Sequence, residues 1–298
     1  MSAKVTVVVP VYNGEATLAD CLRALRTQTL SKSDYEIIVV IDRATTDSSA
    51  EVAKQFDVQL ILGRRHGAGT ARNAGIAAST TKWVAFTDAD CIPSRGWLSY
   101  LLQALSDGSD AGAIGAAGRT VGFESYSPAA RFVDLTGGLD AATYLRHPNF
   151  PFAPAGNLMY PRDALKAVGG FDERYCSQEP LDLHYRLVKT VGGRLLYEPR
   201  ALVLHRHRAS WKAYWQQQFS YGRGLAQFML HHKEAAEWSR WRELESWGRL
   251  LDLGIRACVP GNNDRALVRR GTFVKQVAQR TGFITTYWSP TEQKRWFP

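Results

Sequence analysis

Residues 83–98 read WVAFTDADCIPSRGWL, an apolar run that closes on two carboxylates, Asp88 and Asp90, one residue apart. Each negative charge raises the cost of ionising the other. Two arrangements relieve the repulsion: a divalent cation held by the pair, or solvation of both as loop acids. Mg2+ and Mn2+ prefer carboxylate oxygens together with the phosphate oxygens of a substrate. The stretch therefore admits a metal that bridges an anionic ligand, and on these residues alone both arrangements stand.

Upstream, the pattern repeats. KVTVVVPVYNG (4–14) is a β-branched run closed by Pro10, Asn13 and Gly14, which predicts a buried strand and a turn. EATLADCLRALRTQTL (15–30) places Leu18, Leu22, Leu25 and Thr29 on one helical face. YEIIVVID (35–42) is a second buried strand, TTDSSAEVAKQF (45–56) a capped helix, VQLIL (58–62) a third strand and GTARNAGIAAST (69–80) a third helix. KWVAFT (82–87) is the fourth strand, and it ends on the paired aspartates. Strand and helix alternating in this way imply a mostly parallel sheet with helices on both faces. Such sheets bind ligands at the carboxyl ends of their strands. Tyr12, Asp42 and Asp88 each follow a strand directly, so the topology predicts that they meet in one crevice.

Beyond residue 107 the pattern is looser. Residues 108–150 are rich in Gly, Ala and Ser and predict strands joined by loops. FAPAGNLMYPRDALKAVGGFDE (152–173) predicts a strand, a proline-started helix and a glycine stop. GGRLLYEPRALVLHRHR (192–208) predicts two short strands meeting near Pro199. From residue 210 the texture is helical, with seven of the nine tryptophans at or after Trp211.

The chain has 298 residues, enough for one large domain or a domain plus an appendage, and is 45% hydrophobic. Its net charge is +9 from 37 basic and 28 acidic residues. That balance suits anionic partners without choosing among nucleotides, nucleic acid and lipid headgroups. Cys21, Cys91, Cys176 and Cys258 form no CxxC pair, which argues against zinc and dithiol chemistry and suits a reducing, cytoplasmic compartment. The first apolar run reads as a folded strand, so no signal peptide is expected. With no run of 18 apolar residues, no spanning helix is expected either.

Taken together and in order, VVVPVYNGEATLADCLRAL, IVVIDRATTDSS, GAGTARNAGIAAS, WVAFTDADCIP and GGFDERYCSQEPLDLHYRL resemble the family 2 glycosyltransferases over roughly residues 4–225. The resemblance implies the GT-A fold, an α/β, Rossmann-like mixed sheet flanked by helices, here with a C-terminal helical extension: 1–225 as the transferase domain and 226–298 as the extension. It implies transfer of a sugar from a nucleotide-diphosphate sugar to an acceptor hydroxyl, with inversion and with Mn2+ or Mg2+ as cofactor. Pro10, Val11, Tyr12 and Asn13 would line the base, and Asp42 would bind base or ribose unless it merely caps the next helix. Arg72 and Asn73 would sit beside the nucleotide, Arg72 alternatively being a surface residue. Asp88 and Ala89 would contact the nucleotide sugar. Asp88 and Asp90 would hold the metal with His205 as a third ligand, His207 being the weaker choice. Arg223, in WQQQFSYGRGLAQF (215–228), would face the diphosphate or acceptor, or water.

Two positions depart from the family pattern. Relatives carry Glu-Asp-x-Asp-Leu at the start of a helix, the first Asp being the general base. This chain reads Glu179-Pro180-Leu181-Asp182-Leu183, and proline cannot accept a proton. Three explanations stand: Glu179 takes the role, Asp182 takes it, or the chain uses no side-chain base in the usual way; Glu179 is preferred. Arg43 and Ala44 replace the Asp/Asn-Gly that commonly follows the first strand-end Asp, which leaves the choice of nucleotide open. The rival reading is a catalytically impaired relative that binds a nucleotide sugar and acts as a partner or regulator. A nucleic-acid-binding role rests on net charge alone and lacks a binding motif. The tail 238–258 mixes Trp, Leu and Arg at helical spacing, which suits packing on the catalytic domain, a protein partner, or peripheral attachment at the inner membrane face.

Overall fold

A computed structural model describes residues 3–64, 67–106, 112–233 and 240–296, the side chains of 240–245 excepted. Two compact units emerge. The first comprises residues 1–123, 139–174 and 179–206, and the second 124–138, 175–178 and 207–298.

The first unit is built on an eight-stranded sheet of order β3-β2-β1-β4-β7-β6-β8-β5. Its strands are β1 (Val5–Val11), β2 (Tyr35–Ile41), β3 (Gln59–Leu62), β4 (Trp83–Phe86), β5 (Cys91–Pro93), β6 (Ala113–Gly122), β7 (Leu158–Pro161) and β8 (Arg194–His205). β3, β2, β1 and β4 run parallel, as the alternating pattern predicts. β7 runs antiparallel between β4 and β6, β6 pairs parallel with β8, and β5 pairs antiparallel with β8. The result is the mixed sheet of a GT-A fold.

Both faces of the central strands are apolar because both are covered. Val5, Val7, Val9 and Val11 pack with Leu18, Leu22 and Leu25 of α1 (Glu15–Arg26) and with Trp97, Leu98 and Leu101 of α4 (Trp97–Ser106). Val8, Ile38, Val40 and Phe86 face the other layer, made by α3 (Ala68–Ala78), α7 (Arg162–Ala167) and α8 (Glu179–Val191). Thr29 falls outside α1, which stops at Arg26, and Cys21 takes a place on its buried face. α2 (Ser49–Ala53) is one short turn of the longer helix expected there.

Downstream of β6 the expected strands are replaced. α5 (Pro128–Leu135) starts on a Ser127 cap with proline in its first turn, and α6 (Ala141–Leu145) on an Asp140 cap. Both signals are in the sequence, but Gly- and Ala-rich surroundings hide the helical period. Residues 107–111 of this stretch lie outside the described residues. The two strands expected around Pro199 are one long strand, β8, whose register against β6 shifts between Gly118 and Arg119. An irregularity of that kind takes up a proline without ending the strand.

The second unit is helical: α5, α9 (Trp211–His231), α10 (Arg240–Ala257), α11 (Asp264–Tyr287) and α12 (Pro290–Trp296). Phe132, Trp211 and Tyr214 form an aromatic cluster with centroids 5.7–5.8 Å apart, and Arg131 pairs with Asp264 through two 2.9 Å bonds. α9 and α11 touch backbone to backbone at glycines: a Cβ on Gly222 would overlap the carbonyl of Gln279, and one on Gly282 that of Phe219. The domain border expected at residue 225 falls inside α9. α10 packs on α11 where Gly254 meets Phe273, and leaves Trp247, Leu251 and Ile255 exposed. The start of that tail, 234–239, lies outside the described residues. Among the described residues no helix is long and apolar enough to cross a membrane.

Candidate active site

The site lies in the first unit, at the carboxyl ends of β1, β2, β4 and β8. β1 delivers Pro10 and Val11 as buried strand residues and Tyr12 as an exposed one, 63% accessible. Val11 O accepts from Asp42 N on the β2 side, whereas Val8 O accepts from Thr87 N on the β4 side. Pro10 shares the parity of Val8, so its missing N–H faces the β4 side. β4 stops pairing with β1 at Val8, and the proline costs no ladder bond. Asn13 adopts a left-handed φ of 49°, and its Oδ1 accepts from Thr46 N at 2.9 Å, tying the loop after β1 to the loop after β2.

Asp42 is buried. Its Oδ1 accepts from Ala44 N (2.7 Å) and its Oδ2 from Gly67 N (3.2 Å), so it joins the turn after β2 to the start of α3. It does not cap α2, whose first residue is Ser49. Arg43 is exposed.

Arg72 is no surface residue. On α3 it is 4% exposed, and its guanidinium splits between two carboxylates: Nη1 donates to Glu179 Oε1 at 2.6 Å and Nη2 to Asp88 Oδ1 at 2.7 Å. Nε is buried with no hydrogen-bond partner among the described residues. Burial opposes the charge, but Asp88 and Glu179 outweigh it and hold the guanidinium more firmly protonated than a free arginine. Asn73 faces the loop after α7. Its Nδ2 donates to Phe171 O and Glu173 Oε1, and its Oδ1 accepts from Phe171 N. Gly170, at φ 73°, leaves the room this clamp needs, since a Cβ there would overlap Asn73 Oδ1.

Asp88, Ala89 and Asp90 form the turn between β4 and β5. Ala89 packs against Gly14 at the start of α1, 3.3 Å from where a Cβ would stand. Antiparallel pairing of Cys91 with His205 brings the end of β8 alongside this turn. His205 Nε2 lies 3.5 Å from Asp90 Oδ1, and single donor atoms of Asp90, Cys91 and His205 all lie within 4.8 Å of one another. Asp90 would supply the hard oxygen donor that Mn2+ and Mg2+ take, with the His205 imidazole as a nitrogen donor beside it. Cys91 does not fit so hard an ion: burial first, then Asp90 and Asp88, push its thiol well above the ordinary cysteine range. His207 belongs to the second unit, beside Gly138.

α8 begins at Glu179 with Pro180 in its first turn. Asp182 is fully buried, and its Oδ2 accepts from Arg186 Nε (2.8 Å) and lies 2.7 Å from Nη2 in the same ion pair. Arg223 lies within α9, in the second unit, and its backbone nitrogen packs close to Gly282. The bridging role of Arg72, and two residues that were not candidates, escape sequence reading. Arg72 bridges residues 16 and 107 positions away and leaves no local pattern. Cys91 was legible only as the neighbour of Asp90. Asn157 is buried and accepts from Trp97 Nε1 at 2.8 Å while donating to Arg119 O and Ala201 O, a pinning of β6 to β8 that no motif announces.

Comparison with known proteins gives the family and the fold. The profile of "Glycosyl transferase family 2" matches residues 6–169. The pre-mycofactocin glycosyltransferase of Mycobacterium tuberculosis is 36% identical over 239 residues, 77% of this chain and 48% of that protein. The chain thus spans about half the length of that curated relative. Among solved structures, the mannosyltransferase PcManGT of Pyrobaculum calidifontis, in complex with GDP-Man and Mn2+, superposes with a TM-score of 0.66 at 17% identity, covering 97% of this chain and 88% of that one. Glucosyl-3-phosphoglycerate synthase of M. tuberculosis, in complex with Mg2+ and UDP, gives a TM-score of 0.56 at 17% identity, covering 76% of this chain and 78% of that one. At such identities the two structures speak for the fold.

Proposed function

Because the chain belongs to glycosyl transferase family 2, we propose that it transfers a sugar from a nucleoside diphosphate sugar to an acceptor hydroxyl, with inversion, using Mn2+ or Mg2+ at Asp90 and His205 beside Asp88. The observation that carries the reading is the meeting of an Asp90–His205 pair with Asp88 at the carboxyl ends of parallel strands, with the Glu179 carboxylate one guanidinium away. The relatives named for glycosyl transfer, and the neighbours solved with GDP-Man or UDP, support the class of donor.

When bound, the cation supplies Lewis-acid stabilisation of the diphosphate leaving group. Tyr12 offers an exposed ring on which a base can stack. Asp42, fixed by Ala44 N and Gly67 N, offers its remaining lone pairs to base or ribose. In the displacement the sugar–phosphate bond breaks with its electron pair going to the diphosphate. The acceptor oxygen bonds the sugar carbon and gives its proton to Glu179. Among the described residues no hydrogen bond reaches Glu179 Oε2, which leaves that oxygen for the proton. Asp182 suits the task less well, since Arg186 engages its carboxylate at zero exposure. The impaired-relative reading drew its support from Pro180, and Glu179 supplies beside it the carboxylate that proline lacks.

The four free cysteines suit a reducing compartment such as the cytoplasm. The test is nucleoside diphosphate release from a panel of UDP-glucose, UDP-N-acetylglucosamine and GDP-mannose with Mn2+ or Mg2+, against the same panel in chelator. Metal-dependent release from one donor is expected. Metal-dependent binding without release from any donor favours the impaired relative.

A further inference from the structure

We propose that Arg72 is a positioning residue for Glu179. It holds the proton acceptor at a fixed distance from the Asp88 turn instead of serving as a ligand of the nucleotide. The inference rests on the proposed function, in which Glu179 takes the acceptor's proton. A guanidinium binds a carboxylate most strongly when both of its parallel N–H groups meet one partner. Arg72 forgoes that arrangement. Nη1 goes to Glu179, Nη2 to Asp88, and Nε is buried with no acceptor among the described residues. The split is costly for a residue 4% exposed, and what it achieves is a rigid planar spacer between two carboxylates carried by different elements.

The rest of α3 stiffens the spacer. Gly75 lets the helix lie directly on β1, where a Cβ would overlap Val8. Gly69 lies beside the Glu179 stem, whose Cγ is 3.5 Å from the position of an added Cβ, an ordinary packing distance. Asn73 clamps the 171–173 loop, and the Arg72 guanidinium sits 5.5 Å from the centroid of the Phe171 ring. One face of one helix thus fixes both the Asp88 turn and the start of α8. The single bond from Nη1 engages one Glu179 oxygen and leaves the carboxylate a second one. Pro180, the next residue, has no group that accepts a proton, and the tethered residue is the one with a carboxylate to offer.

The experiment compares wild type with Arg72→Lys, Glu179→Gln and the double variant, using whichever of UDP-glucose, UDP-N-acetylglucosamine or GDP-mannose the wild type turns over. Lysine keeps the charge, but a single ammonium cannot span both carboxylates. Arg72→Lys is expected to lower kcat on the order of 10²-fold, the usual cost of a misplaced reacting group, with donor KM little changed. The double variant should be no slower than Glu179→Gln, because both changes act through one carboxylate. A crystal structure of Arg72→Lys should show α3 and α8 in place and the Glu179 side chain displaced. The proposal is overturned if Arg72→Lys raises donor KM at unchanged kcat, if the two kcat losses multiply, or if Glu179 stays where it is. Wild-type turnover by Glu179→Gln instead removes the proton-acceptor reading itself, an outcome separate from the other three.

Discussion

Asp182→Asn is expected to cost stability and leave chemistry alone. The carboxylate is at zero exposure, accepts from Arg186 Nε and pairs with Nη2 at 2.7 Å, the arginine side chain being 20% exposed. Removing one partner of a buried pair costs about 3–5 kcal/mol because the other charge is left uncompensated. Arg186 is not wholly abandoned, however. Nη1 still donates to Val168 O at 2.6 Å and Nη2 to Gly170 O at 2.8 Å, and asparagine keeps one acceptor in place. The loss should therefore fall below that range, at roughly 2–3 kcal/mol. For a chain of 298 residues that corresponds to a fall in Tm of roughly 3–5 °C. Differential scanning calorimetry on wild type and variant reads the shift, and nucleoside diphosphate release at a temperature where both are folded reads the chemistry. The expected pair of results is a lower Tm with kcat within about threefold of wild type. An unchanged Tm with kcat lowered on the order of 10²-fold or more would refute the reasoning and move the proton acceptor from Glu179 to Asp182.

Two other consequences are open to direct measurement. Burial holds His184 neutral, with its pKa down from 6.5 to about 4, and its Nδ1 shares a 3.1 Å hydrogen bond with Tyr160 OH. Since the folded value lies below the unfolded one, this group's contribution is whole above pH 6.5 and is lost as pH falls towards 4, an effect on the order of 3 kcal/mol. His184→Gln should flatten the decline of the urea midpoint across that window, and an identical slope in both proteins would contradict it. Gly118→Ala should destabilise by about 1–3 kcal/mol, since the new methyl would overlap the carbonyl of Ala201 and the amide of Asn157. Equal urea midpoints for glycine and alanine would mean that β6, β8 and Asn157 are not packed this tightly.

What the sequence revealed and what it hid divide by range. β1, β2 and β4 were legible because strands buried on both faces are written as unbroken β-branched runs, and a run of that kind needs no partner to be recognised. Their ends carried Tyr12, Asp42 and Asp88 to one edge of the sheet by topology alone. His205 came within reach of Asp90 for the same reason, once β8 was a strand. α5 and α6 were lost because their caps sit among glycines and alanines that blur a helical period. The single long β8 was read as two because proline usually ends a strand, and only the shift against β6 shows how this one continues. The roles of Arg72 and Asn73 were beyond local reading: one bridges carboxylates from two other elements, and the other holds the backbone of Phe171. Asp182, read as a possible base, turned out to be matched by Arg186 one helical turn on, a spacing visible in the sequence.

The central claim is that Asp90 and His205 present a divalent cation to a nucleoside diphosphate. Titration calorimetry of UDP and of GDP, each with Mn2+ and with chelator, tests it on wild type, Asp90→Ala and His205→Ala. The account predicts that one nucleotide binds wild type with Mn2+ at least about tenfold more tightly than in chelator, the effect of some 1.4 kcal/mol. It predicts that Asp90→Ala removes that difference and that His205→Ala reduces it. Equal affinity with and without Mn2+ in wild type, or a full Mn2+ effect in Asp90→Ala, would contradict it.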